Sequence, residues 1–461
     1  MRKKGLLAGF VVGVFVGLFF APGLAGPAPK TESIAETFGL PSEWDTSLFV
    51  PLGVALREIQ KQYVDDVAPD KLLVGAYHGI LSKLDDYSAY MPPEPYEEFK
   101  ADTEGEFGGL GVRIYFNPLD KLLSVDQPIP GTPAFRAGVV AGDIITVIRE
   151  VSTGAEYDPS KFEDVHEAAK VLRGAPGTQV TITVFHKETR EQEDITIERA
   201  IIKVPGARGE RMINEERKIG YVYVASFHEH TVGDLETRLN ELNKQGLKAL
   251  ILDLRFNPGG LLRSAVEVSD MFLDSGVVVS VRGKEGPRAV ERATNGDILN
   301  GAPLVILTNR YSASGAEIVA AAIKENKRGI LVGETTFGKG SVQSIIELGR
   351  DKGAIKLTTA RYYTPDEVCI EKKGIVPDVE LKLSNDEMRE LVLSLSDIVQ
   401  YPPEPINETT LKPNQEPMKD TTPKPNQEPN KEEEKKPFRD VQLERAVDIL
   451  IGMLIQRERG S

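Results

Sequence analysis

At 461 residues with 40% hydrophobic content, the chain is long enough for two or more domains with substantial cores. Its 56 basic and 70 acidic residues give a formal charge of −14, a balance that argues against a general nucleic-acid binder, which would present a basic face. Cys369 is the only cysteine, which excludes an internal disulfide and a cysteine-based zinc site.

Met1-Arg2-Lys3-Lys4 is a positively charged start, and Gly5 to Phe20 is an almost unbroken apolar run that ends near Ala21-Pro22-Gly23-Leu24-Ala25-Gly26. The run is long for a signal core and short for a span, so residues 1–26 read as an export signal cleaved after Ala25 or as a retained anchor. No cysteine lies here, which excludes a lipoprotein. The basic residues ahead of the run favour an inside N-terminus, which places the working part outside the membrane, in a periplasm or at a cell surface.

Residues 27–103 form an expected helical N-terminal region. Leu52, Val54, Leu56, Ile59 and Tyr63 sit at near-helical spacings, and Leu72, Leu73, Ala76, Ile80 and Leu81 repeat the theme. The paired aspartates in Leu84-Asp85-Asp86-Tyr87-Ser88-Ala89-Tyr90-Met91 read as turn residues rather than a catalytic pair.

At Gly105-Glu106-Phe107-Gly108-Gly109-Leu110-Gly111-Val112 the texture changes to glycine loop followed by strand. Alone this is an ordinary glycine turn, or a loop whose free N–H groups hold a carboxylate while the next strand pairs with an extended peptide. Gly142-Asp143-Ile144-Ile145, a helix-like Lys161 to Leu172, and an alternating Gly177 to Val184 follow. This order resembles a PDZ domain, placed at 104–199. The resemblance implies that Gly108, Gly109, Leu110, Gly111 and Val112 bind the free C-terminus of a protein chain.

From Ile219 strand and helix signals alternate: strand to Ala225, helix from Val232 to Gln245, strand from Leu247 to Leu254, helix from Leu261 to Leu273, strand from Gly276 to Val281. The alternation argues an α/β core over residues 200–400. Asp253-Leu254-Arg255-Phe256-Asn257-Pro258-Gly259-Gly260 opens the second helix and is by itself a plain strand-to-helix loop. His228-Glu229-His230 has metal-ligand residues but no third ligand pattern, so it reads as a solvated loop.

Pro303 to Thr308 is an apolar strand run, Asn309-Arg310-Tyr311-Ser312-Ala313-Ser314-Gly315-Ala316-Glu317 a turn, and Ile318 to Ile323 a helix. Gly333-Glu334-Thr335-Thr336-Phe337-Gly338-Lys339-Gly340-Ser341-Val342-Gln343 follows. A serine at a helix start sits beside free amides that favour developing negative charge. Lys339 can serve as its base if Phe337 and Val342 desolvate the amine, since desolvation lowers a lysine pKa; Gln343 could orient that amine. Ser314-Gly315-Ala316-Glu317 also matches a helix capping box, which needs no chemistry.

Composition breaks at residues 401–437, rich in Pro, Glu, Lys and Asn, where Lys412-Pro413-Asn414-Gln415-Glu416-Pro417 recurs as Lys424 to Pro429; this segment reads as a disordered linker. In residues 438–461 an apolar face returns through Leu443, Ala446, Val447, Leu450 and Leu454, a terminal helix that packs back on the enzyme or joins two subunits.

Together, the S-A-S-x-x-E segment and the F-G-K-G-x-x-Q segment resemble the carboxyl-terminal processing proteases, also called tail-specific proteases. Ser314 and Lys339 lie 25 positions apart (339 − 314), the family's spacing for its Ser-Lys dyad. The resemblance implies Ser314 as nucleophile with Ser312 as fallback, Lys339 as base, Gln343 beside it, and an oxyanion site from the amides of Gly315 and of Gly260 or Gly259. It also implies a crotonase-like (ClpP/crotonase-type) core with an inserted PDZ domain. Arg173 matches an arginine thought to link peptide docking to dyad alignment, and Leu84–Met91, Leu357–Pro365 and Gly374–Asp378 resemble further family segments, the last two its closing strands. The implied activity is an exported serine endopeptidase acting on protein C-termini, with no cofactor or metal, an adaptor or a second copy as further partners, and membrane contact through residues 1–26. The alternative is a catalytically silent PDZ scaffold; a hydrolase of small thioesters is a weaker third reading.

Overall fold

Apolar residues at helical spacing form α1 (Phe49–Gln62) and α2 (Pro69–Leu81), the latter opened by a proline in its first turn. The computed structural model describes residues 49–460 apart from 118–119, 188, 285–287, 295, 350 and 396–437. The expected signal or anchor and the expected linker therefore lie outside the described residues. The two helices belong to a unit that ends at Lys83, and Leu84 onward forms a second.

The second unit starts with strand β1 (Ala89–Met91), which interrupts the expected helical region because its backbone pairs antiparallel with a strand far along the chain. Helix α3 (Pro93–Glu104) ends at Gly105, whose φ of 74° is the left-handed stop glycine adopts at low cost. A small antiparallel domain follows: β2 (Glu106–Gly109), β3 (Val112–Asn117), β4 (Leu122–Pro128), short helix α4 (Pro133–Arg136), β5 (Ile144–Glu150), β6 (Glu156–Tyr157), α5 (Val165–Leu172), β7 (Gln179–Phe185), β8 (Gln192–Glu198) and β9 (Ala200–Lys203). Its sheet runs β3-β4-β5-β7-β8 with β6 on β5, while β2 pairs with β9 so that the chain enters and leaves side by side. Helix α5 begins at Val165, later than the Lys161 expected, because the Asp164 side chain accepts the N–H groups of His166 and Glu167 and caps the helix there.

The larger layer comprises β10 (Ala207–Asn214), β11 (Ile219–Val224), α6 (Thr231–Lys244), β12 (Ala249–Asp253), α7 (Leu262–Asp270), β13 (Val277–Gly283), β14 (Ala289–Arg292), β15 (Leu304–Thr308), α8 (Gly315–Glu325), β16 (Ile330–Gly333), β17 (Ser341–Glu347), β18 (Ala354–Tyr363), β19 (Val379–Glu380), α9 (Asn385–Leu395) and α10 (Val441–Gly460). The main sheet has the order β10-β11-β12-β15-β16-β19, parallel from β11 onward. Every residue of β11, β12 and β15 is buried, as the unbroken apolar runs require when both faces of a parallel sheet are covered. Alternate side chains divide between two cores: Val222, Leu252 and Ile306 pack with α6, α7 and α8, and Tyr221, Ile251 and Val305 pack with α9 and α10. Full burial of each such aliphatic side chain contributes about 1.5–3 kcal/mol, enough for this three-layer α/β arrangement to hold the strand ends rigidly. A second sheet, β1-β18-β13-β14 with β17 on β18, lies beside it.

One further expectation changes, and one left open is met by the first of its alternatives. Gly374–Asp378 forms no strand: the Gly374 N–H turns back to the Ile370 carbonyl, and strand pairing starts only at β19. The terminal helix, left open between packing back and joining subunits, lies against β12, β15 and β16 of its own chain.

Candidate active site

β15 delivers the chain to Asn309 and α8 takes it away at Gly315, so the turn between them is held from both sides. Asn309 Oδ1 accepts the N–H groups of Phe256 (3.0 Å) and Tyr311 (3.1 Å). Ser312, fully buried, accepts the Asn309 N–H at 2.9 Å and donates to the Leu254 carbonyl at 2.8 Å. Its hydroxyl is thus consumed in fastening the turn to the Asp253–Gly260 loop. Ser314 differs: it is half-buried, and its backbone stands at φ 52°, ψ −112°, a region that costs a non-glycine residue about 1–3 kcal/mol.

The Glu317 carboxylate accepts the Ser314 N–H at 2.8 Å, the contact a capping box requires, and the Glu317 N–H goes to the Ser314 carbonyl at 2.9 Å. The Ser314 hydroxyl stands near the buried Tyr362 hydroxyl. Tyr362 donates to the Lys339 carbonyl, so one phenol touches both segments.

Glu317 does more than cap. Its fully buried carboxylate also accepts the Thr336 hydroxyl (2.6 Å) and the N–H groups of Gly338 (2.7 Å) and Lys339 (2.8 Å). One anion therefore ties the amide of Ser314 to the amide of Lys339. Burial pushes its carboxyl pKa up while these donors pull it down, with a net rise.

The Lys339 amine lies 4.9 Å from the centre of the Tyr87 ring. Desolvation by burial, helped by the ammonium of Lys356, holds its pKa below the ordinary lysine value against the opposing pull of Glu371 and Glu317. Phe337, expected to desolvate the amine, is 41% exposed; Tyr87 is the aromatic that stands against it. Gly340 lets the lysine loop lie against a neighbouring turn, since a Cβ there would come within 2.9 Å of the Glu371 nitrogen. The Gln343 amide donates to Ser341 (3.0 Å) and Thr358 (3.2 Å), with no hydrogen bond to Lys339.

The Asp253–Gly260 loop completes the site. Gly259 packs so tightly that a Cβ on it would fall 2.7 Å from the Ser314 Cβ. The Gly259 N–H is spent on Asn257 Oδ1 at 2.8 Å, which removes it as an oxyanion donor. Among the described residues, the N–H groups of Gly260 and Gly315 have no protein acceptor, and these two flank the Ser314 turn.

The segment 218–381 matches the model of peptidase family S41, and residues 43–95 match that of the activating protease CtpB N-terminal domain. The chain is similar to the carboxy-terminal-processing protease of Bartonella bacilliformis, 38% identical over 334 residues that cover 71% of this chain and 73% of the relative. The carboxyl-terminal-processing protease of Picosynechococcus is 37% identical over 343 residues, 70% of this chain and 81% of the relative. The carboxy-terminal processing protease CtpA of Bacillus subtilis is 36% identical over 339 residues, 73% of this chain and 70% of the relative. The chain belongs to the carboxyl-terminal processing proteases. It is a serine-type peptidase of that family.

Ser314, Lys339, Gly260 and Tyr362 of this protease all lie inside the S41 match, whereas Tyr87 lies inside the N-terminal match. Tyr87, Tyr362 and the linking role of Glu317 were missed from the sequence. The turn around Asp85, which accepts the N–H groups of Tyr87 and Ser88 at 2.8 and 2.7 Å and the Thr358 hydroxyl at 3.2 Å, bears out the reading of the aspartates as turn residues and sets Tyr87 in place.

The glycine-rich segment is less of a loop than expected. Gly108 and Gly109 lie on β2, paired with Ile201 and Ala200 of β9, and Gly108 leaves room for the Gly174 carbonyl, which a Cβ would meet at 2.1 Å. Only Leu110 and Gly111 form the connection, their carbonyls accepting the N–H groups of Ala134 and Ile129, and Val112 already pairs with Pro128. Arg173 ends α5 and stacks 4.6 Å from the Phe107 ring centre, its charge reaching Asp102; neither partner lies in the Ser314 or Lys339 segment. The His228 loop is also corrected: His228 is 3% exposed and packs under Gly105 and Gly206, while His230 meets Glu106 at 2.9 Å.

Proposed function

We propose that the protease cuts peptide bonds with Ser314 as nucleophile and Lys339 as general base, in a crotonase-like core over residues 200–400 carrying an inserted PDZ domain at 104–199. The observation that carries this reading is the shared Glu317 carboxylate, which couples the backbone positions of the serine and the lysine. Neutral Lys339 takes the Ser314 proton as Oγ attacks the scissile carbonyl. The amides of Gly260 and Gly315 receive the tetrahedral oxyanion, each donor contributing roughly 3 kcal/mol of barrier lowering. The ammonium of Lys339 then protonates the leaving amine, and the neutral amine activates water to release the acyl group. The lowered lysine pKa supports the first step, and the burial of Ser312 supports Ser314 over its neighbour.

Substrate capture falls to the small domain. β3 is the edge strand of its sheet, paired only with β4 and close to α5, which supports addition of an extended peptide along the open edge with its carboxylate near Leu110–Gly111. The chain is exported, with residues 1–26 as signal or anchor, and works on protein C-termini outside the cytoplasm.

The test is digestion of an unstructured protein, with fragments read by mass spectrometry beside Ser314→Ala and Lys339→Ala. Only the parent should cut, and a competing peptide with a free C-terminal carboxylate should slow it more than the same peptide amidated. Cutting by Ser314→Ala would overturn the assignment of the nucleophile, and equal competition by the two peptides would overturn the role of the small domain.

A further inference from the structure

The guanidinium of Arg255 is fully buried at the root of the loop that carries Gly260. Arginine has five N–H donors, and all must find acceptors when buried. Nε and one Nη2 bond go to Asp253, at 3.0 and 2.6 Å. The remaining three go to the start of the C-terminal helix: Nη1 to Asp440 Oδ1 (3.0 Å) and Gln442 Oε1 (3.1 Å), and Nη2 to Asp440 Oδ2 (2.8 Å). The start of the C-terminal helix thus takes three of the arginine's five hydrogen bonds, from Asp440 and Gln442, 185 and 187 positions away.

The connection onward to the chemistry is short. Phe256 takes φ 62°, its N–H held by Asn309 and its ring stacked 5.6 Å from Tyr311. Asn257 then accepts the Ala313 N–H on its carbonyl at 2.9 Å and the Gly259 N–H on its side chain at 2.8 Å. Any shift of Arg255 therefore moves the Gly259–Gly260 amides and the Ala313–Ser314 turn together.

We propose that Asp440, assisted by Gln442, is a positioning residue for the peptidase reaction: through Arg255 the C-terminal helix holds the oxyanion loop in register with Ser314. The proposal rests on Gly260 and Ser314 having the roles given above. Asp440 also caps its own helix, accepting the Leu443 N–H at 3.0 Å. Asparagine caps as well as aspartate, so Asp440→Asn removes one of the two carboxylate charges that Arg255 faces, leaves Asp253, and keeps the helix start.

The experiment uses the full chain and three variants, Asp440→Asn, Asp440→Glu and Gln442→Met, with a quenched fluorescent peptide. Active sites are counted with a fluorophosphonate, and a peptide aldehyde reports the oxyanion site, since its adduct resembles the tetrahedral state. Asp440→Asn should lower kcat per counted site at least tenfold and raise the aldehyde Ki in parallel, with KM within twofold. Asp440→Glu should recover most of kcat, and Gln442→Met, which leaves the charge pair intact, should lose about threefold. If Asp440→Asn only lowers the count of active sites or the Tm, with kcat per site and aldehyde Ki unchanged, the helix is merely structural and the proposal is overturned. A Ser314→Ala control that still cuts would overturn the proposal together with the assignment beneath it, and that result is separable from the first because it appears without any change at Asp440.

Discussion

Glu317→Gln keeps the size of the buried side chain and removes its charge and one acceptor oxygen. In the native site Oε1 accepts Thr336 and Gly338, and Oε2 accepts Ser314 and Lys339. A glutamine must turn its NH2 toward one of these pairs. The cheaper orientation faces Thr336 and Gly338, because a hydroxyl can rotate to accept whereas the Gly338 N–H cannot. The Gly338 amide then loses a hydrogen bond to a charged acceptor, about 1.5–3 kcal/mol, and is stranded while buried, about 1–3 kcal/mol more. Its neighbour is Lys339, so a share of about 3 kcal/mol should reach the transition state, a loss of roughly a hundredfold or more in kcat/KM. The assay is kcat/KM per counted active site on a quenched fluorescent peptide, with Tm read alongside. Activity within threefold of the parent at unchanged Tm would refute the linking role of the carboxylate.

Three further outcomes are expected. Ser314→Gly should be inactive yet more stable than the parent by about 0.5–1 kcal/mol in chemical denaturation, since glycine relieves the strain of a residue held at φ 52°. Lys356→Gln should move the rising limb of kcat/KM to higher pH: the Lys356 ammonium helps to depress the Lys339 pKa, so its removal raises that pKa and shrinks the neutral fraction at pH 7. Gly259→Ala should lower kcat more than a hundredfold and cost about 1–3 kcal/mol of stability, because the new methyl meets the Ser314 Cβ at 2.7 Å from a backbone at φ 101°.

The family was legible because its two motifs sit in two short, unusual segments, around Ser314 and Lys339, and the main sheet was legible because β11, β12 and β15 are apolar on both faces. Residue types do not separate Ser312 from Ser314, since both flank the helix start; the fold buries the Ser312 hydroxyl against Leu254 and holds Ser314 half-buried at strained φ, which supports Ser314 as the proposed nucleophile. Tyr87 and Tyr362 escaped notice because an aromatic in a turn or a strand looks like packing until the partner strand brings it to the lysine. Asp440 carries no local sign of its role at all, as its partner is reached only through the fold. Gly108 was read as a loop glycine, though its lack of a side chain serves strand pairing beside the Gly174 carbonyl.

The most direct test of the central claim is peptide mapping after reaction of the full chain with a fluorophosphonate at pH 7. A single label on the peptide containing Ser314, absent from Ser314→Ala and strongly slowed in Lys339→Ala, is the predicted result. A label on Ser312 or elsewhere, or labelling of Ser314 at the parent rate without Lys339, would contradict it.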